Sequence, residues 1–78
     1  MNADSAIEHL LSERGPSKTI CPSEAARLMA QDDDWRLHMD DVHKAVDAML
    51  AKGRIRLSWK GEPLALRDGP YRIAWADG

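Results

Sequence analysis

Apolar positions along the first half of the chain recur at helical spacing. Ala6, Ile7, Leu10 and Leu11 fall on one face of a first helix, with Asp4 or Ser5 placed to cap it. Gly15-Pro16 stops that helix, because glycine suits the left-handed exit and proline cannot continue the hydrogen-bond ladder. Thr19-Ile20-Cys21 reads as a short extended segment, held away from helix by the proline that follows. Pro22 then takes the first position of a second helix, where its missing N–H costs nothing. Glu24, two positions on, faces the positive end of the dipole and is within reach of the Cys21 amide. Ala25, Leu28 and Met29 are expected to turn that helix inward. A polar connection, Gln31 to Asp34, leads to the anchor Trp35. A third helix is expected from Asp40 to Lys52, ended by Gly53, with Val42, Ala45, Val46, Met49 and Leu50 as its apolar stripe.

The period then changes from helical to alternating. In Arg54 to Lys60, Ile55, Leu57 and Trp59 alternate with Arg54, Arg56, Ser58 and Lys60. Gly61-Glu62-Pro63 is expected to break that strand. After Gly69-Pro70 the alternation resumes, with Tyr71, Ile73 and Trp75 on one face and Arg72 and Ala74 on the other. Two amphipathic strands joined by a longish loop predict an antiparallel hairpin with one buried face. The order helix, short strand, helix, helix, two-stranded hairpin is that of a winged helix, an α+β fold in which the short strand pairs with the hairpin. A three-helix bundle with a detached hairpin is disfavoured, because an isolated hairpin is barely stable in water.

The stretches Arg14 to Met29, Trp35-Arg36, Gly53 to Pro63 and Gly69 to Ile73 resemble a small bacterial family catalogued as domain of unknown function 3253. Lys18 to Glu24 is the most specific part of the likeness. The resemblance implies a winged-helix fold and carries over no catalytic residues. His43 stands where the family tends to place an arginine.

Composition narrows the function more than it names it. The 78 residues are 44% hydrophobic and 31% charged, and they read as one domain, residues 1–78, with a thin core and little room for a deep catalytic cleft. No segment has the length of a membrane span, and the N-terminus lacks a signal-peptide pattern, so a cytoplasmic protein with no membrane partner is expected. One cysteine makes no internal disulfide, and three scattered histidines offer no metal-ligand cluster, so neither metal nor cofactor is expected. Carboxylates around Asp32 to Asp41 lack the spacing and glycine of a calcium loop. Cys21 lies at a helix start, which can favour thiolate, but no histidine is locally placed as its base. It is read as a mostly buried junction residue, and the chain as a non-enzyme.

The net charge of −2 divides unevenly, into −5 over residues 1–47 and +3 over residues 48–78. An anionic partner is therefore expected on the C-terminal part. Opposite its apolar stripe the third helix presents Asp40, Lys44, Asp47, Ala48 and Ala51, a poor face for a polyanion, with His43 at its flank. The hairpin presents Arg54, Arg56, Lys60 and Arg72, joined by Arg67 from the loop. The expectation is a binding module that touches nucleic acid through these residues, with Lys44 and His43 as lesser contributors. The alternative is a protein-interaction or dimerisation module using Leu64 and Leu66, unless those leucines pack back on the core.

Overall fold

The computed structural model describes residues 1–30 and 33–76, so Gln31 and Asp32 of the acidic connection lie outside the described residues. Helix α1 spans Ala3–Arg14 and α2 spans Pro22–Met29. A 3-10 turn, Trp35–His38, leads into α3, Met39–Ala51. Strands β1 (Ile55–Trp59), β2 (Glu62–Leu64) and β3 (Arg72–Trp75) form an antiparallel sheet in the order β2-β1-β3. The architecture is α+β with the winged-helix order of elements, and the expected link between the first corner and the wing is present as a single bridge. Ile20 and Ile73 exchange both backbone hydrogen bonds, each 2.9 Å.

Helix ends are set by local chemistry. The cap of α1 is Asn2, whose side chain accepts from the Ser5 amide at 2.8 Å, and not Asp4 or Ser5. Asp4 instead lies in the first turn, where its charge opposes the dipole. α2 starts at Pro22 as its sequence dictates, and Glu24 accepts from the Cys21 amide at 2.7 Å. α2 buries Ala25 and Ala26, while Leu28 is 37% exposed. Leu28 lies roughly 100° around the helix from the mean direction of Ala25, Ala26 and Met29, which puts it on the flank. α3 begins one residue before Asp40 and ends in a Schellman motif: Gly53, at φ +71°, donates to Leu50 and Arg54 donates to Met49, both at 3.0 Å.

The wing departs from the expected two-stranded hairpin. Lys60 and Gly61 both take positive φ, +52° and +84°, the signature of a type I′ turn, and Glu62 to Leu64 returns as β2. Pro63 is tolerated because β2 is an edge strand and Pro63 faces Ser58 at a pair that needs no proline N–H. Trp59 was expected on the buried face but is 37% exposed, because β1 runs past the helices once Leu57 has entered the core. Ala74, expected to face outward to solvent, is buried: its methyl lies low among longer side chains beside Arg56, its cross-strand neighbour.

The core is one cluster that joins α1 (Ile7, Leu11), the corner (Ile20), α3 (Val42, Val46, Met49) and the sheet (Leu57, Ile73). Each of these side chains contributes about 1.5–3 kcal/mol by leaving water. Leu64, Trp35 and Trp75 pack against the cluster from its rim.

Candidate functional site

The outer face of the sheet and the first corner meet around Thr19. Because Ile20 points into the core and bridges to Ile73, its neighbours Thr19 and Cys21 face the same side as Arg72. The Arg72 guanidinium donates from Nε to Thr19 Oγ1 at 2.7 Å, from Nη1 to Cys21 Sγ at 2.8 Å and from Nη2 to the Thr19 carbonyl at 3.4 Å. Arg14 Nη1 reaches the same carbonyl at 3.3 Å, and its Nη2 pairs with Glu24. Burial pushes the Glu24 carboxyl up, but the Arg14 hydrogen bond, the Cys21 amide and the Arg14 and Arg72 charges hold it below its usual value. Next to this knot, Ser17, Thr19, Arg56, Ser58, Gly61 and Pro63 line an open cleft of about 250 Å³, with Ala74 in its wall.

The basic residues singled out in the sequence therefore divide. Arg56 and Arg72 share the outer face, where Arg56 is exposed. Lys60 stands exposed in the hairpin turn. Arg54 precedes β1 and turns back to pair with Glu8 of α1, tying the start of the wing to the first helix. Arg67 forms a two-pronged pair with Asp47 of α3, Nε to Oδ1 at 2.7 Å and Nη2 to Oδ2 at 2.9 Å. That pairing holds the Asp47 carboxyl below its ordinary value. Lys44 is exposed on α3.

His43 is half-buried and meets Tyr71: its Nδ1 lies 2.7 Å from the Tyr71 hydroxyl, with the rings tilted at 53°. Burial, reinforced by the Arg67 charge, lowers the His43 pKa against the opposing pull of Asp40 and Asp47. Burial likewise pushes the Tyr71 phenol up to about 12. The loop leucines separate. Leu64 packs back on the core, whereas Leu66 is 74% exposed and lines a second open cleft with Leu50, Ala51 and Ala65.

The chain matches the model of a family described as a protein of unknown function (DUF3253) over residues 2–76. It belongs to the DUF3253 family. The match runs from the Asn2 cap to the residue after β3, so it takes in all the described elements of this DUF3253 chain. Comparison with curated proteins finds no match.

In this DUF3253 chain Cys21 is half-buried, its sulfur taken up by Arg72. The three histidines contact other groups: His9 pairs with Glu13 at 2.6 Å, His38 lies 3.6 Å from Asp34, and His43 holds Tyr71. Among the described residues no group of three or more His, Cys, Asp or Glu is arranged to hold a metal, and no helix is long and apolar enough to cross a membrane. The sequence reading missed a stack in which the guanidiniums of Arg27 and Arg36 lie 4.7 and 4.5 Å from the Trp35 ring. The adjacent Trp35-Arg36 pair was its only local signal, since Arg27 arrives from α2.

Proposed function

We propose that this DUF3253 chain is a non-catalytic winged-helix module that contacts nucleic-acid phosphates with the outer face and tip of its wing, and not with α3. The observation that carries this reading is the placement of Arg56 and Arg72 on one sheet face, with Lys60 at the turn beside it. Arg72 supports it further, because its hydrogen bonds go to neutral acceptors, Thr19 Oγ1, the Thr19 carbonyl and Cys21 Sγ. The exposed side of α3 argues against a recognition helix: Asp40 and Asp47 accompany Lys44, and Asp47 already occupies Arg67. His43 is turned to Tyr71 and is held neutral around pH 7 by its lowered pKa. Binding of this kind is weak in sequence preference and steep in salt dependence. Anisotropy of a labelled duplex across salt concentrations tests it. Replacing Arg56 and Lys60 by Ala should reduce the slope of log K against log salt by roughly one to two units. An unchanged slope sinks the wing model.

One observation favours a second reading. Leu66 stands 74% exposed beside a cleft walled by Leu50, Ala51 and Ala65, as a protein-interaction or dimerisation surface requires. Sedimentation of the pure protein decides this reading: a dimer abolished by Leu66→Asp supports it, and a monomer with no duplex affinity leaves a heterologous protein partner as the alternative.

A further inference from the structure

The chain between β2 and β3, residues 65–70, is fastened to α3 at two neighbouring points. Arg67 grips both Asp47 oxygens through its Nε and Nη2, and Tyr71, just past the segment, meets His43. His43 and Asp47 stand one turn apart on α3, so the two fastenings share one patch of that helix. The half-buried His43 ring is faced there by Arg67 from the segment, by Asp40 and Asp47 from α3, and by the Tyr71 hydroxyl at Nδ1. Ala65 and Leu66 of the segment and Leu50 and Ala51 of α3 line one open cleft of about 430 Å³.

Between pH 7 and 5 the groups around His43 keep their charge states. The Asp47 carboxyl is held below its ordinary 3.8, Arg67 is raised further and Tyr71 stays a neutral phenol. Protonation of His43, in either tautomer, therefore sets a second cation beside Arg67 on a ring that water only half reaches. Asp47 offers little relief, because both of its oxygens are already taken by Arg67. Asp40 and Asp47 do favour the charged ring, but burial and Arg67 outweigh them. Lifting the segment removes Arg67 and rehydrates the ring, so the lifted form binds the proton more tightly. The fastening is weak enough to respond, since the Arg67–Asp47 pair is exposed and surface ion pairs contribute little. We propose that residues 65–70 form an acid-released strap, closed on α3 while His43 is neutral and let go when His43 takes up a proton. Release carries Ala65 and Leu66 away from Leu50 and Ala51 and so dismantles the cleft between them. The device stands whether or not the wing meets nucleic acid.

Three NMR signals followed together from pH 7 to 5 test the strap: the His43 ring resonances, the Arg67 Nε–H, and amide order parameters for Ala65 to Asp68. As the pH falls, the Arg67 resonance should move towards that of a free arginine and the order parameters should drop. Both changes should share the midpoint of the His43 ring, while the β1 amides hold still. The open population should rise severalfold over this range, limited by the ratio of proton affinities in the two forms. Asp47→Asn should leave the strap loose at both pH values. His43→Asn should make its order the same at pH 7 and pH 5. Arg67→Gln should raise the His43 midpoint, because the opposing cation is gone. A native strap still ordered at pH 5, a loosening that persists in His43→Asn, or a midpoint that Arg67→Gln leaves in place overturns the proposal. Should His43→Asn fail to fold, the Arg67→Gln midpoint and the native titration decide it.

Discussion

The Tyr71 hydroxyl lies 2.7 Å from His43 Nδ1, joining the entry to β3 to the middle of α3. His43 is flanked there by Arg67, Asp40 and Asp47, and burial together with Arg67 lowers its pKa from the ordinary 6.5. A base depressed on folding is protonated first in the unfolded chain. Its stabilising contribution is therefore full above about pH 6.5 and declines as the pH falls from there towards the folded value. An NMR titration should place His43 below 6.5, and a His43→Asn variant should show a flatter Tm between pH 7 and 5. A midpoint at or above 6.5 contradicts the burial. At the alkaline end, the single tyrosine allows a clean absorbance titration. Its midpoint should fall near 12, with stability lost as the pH rises between about 10 and about 12. Tyr71→Phe should cost about 1 kcal/mol through the lost hydrogen bond.

Glu24 holds the corner from two sides, by the Cys21 amide and the Arg14 guanidinium. Glu24→Gln should cost about 1–2 kcal/mol near neutral pH, measured by urea unfolding. The folded carboxyl titrates below its ordinary 4.5, so the stabilisation is present above about pH 4.5 and lost as the pH falls through the folded value. In the variant this part of the acid limb should disappear. Equal acid sensitivity in both proteins would falsify the assignment.

Lys60 occupies a left-handed position that asparagine tolerates better. Lys60→Asn should stabilise the fold by about 0.5–1 kcal/mol while removing a charge from the wing tip. Stability should rise as the salt slope of duplex binding falls. Both changing in the same direction argues against Lys60 as a phosphate contact.

Asp47→Asn removes the partner of Arg67 and one negative charge from α3. If the wing makes the contact, duplex affinity should change by less than about threefold, because the altered charge lies away from the outer sheet face and is screened. An increase of tenfold or more would relocate the interface to α3.

The helices and their order were legible because each boundary is a local event: Gly15-Pro16, Pro22 with Glu24, and Gly53 act within a turn of chain. β2 was not, because Glu62-Pro63 reads as a breaker and Lys60-Gly61 is a weak turn signal beside Asn-Gly. The engagement of the arginines was least legible. Glu8 with Arg54, Asp47 with Arg67 and Thr19 with Arg72 are pairings across the fold, and alternation places a side chain on a face without saying what it meets there. The two loop leucines show the same limit, since Leu64 joins the core and Leu66, two residues on, does not.

The Ile20–Ile73 bridge makes the first corner depend on the last strand. Both members are fully buried in the folded chain, where each backbone group must find its partner in the other and not in water. During synthesis α1 and α2 emerge long before β3, yet the corner between them stays open until residue 73 has left the ribosome. Completion of the corner therefore waits on β3, and a wing that fails to form leaves the corner unpaired along with itself.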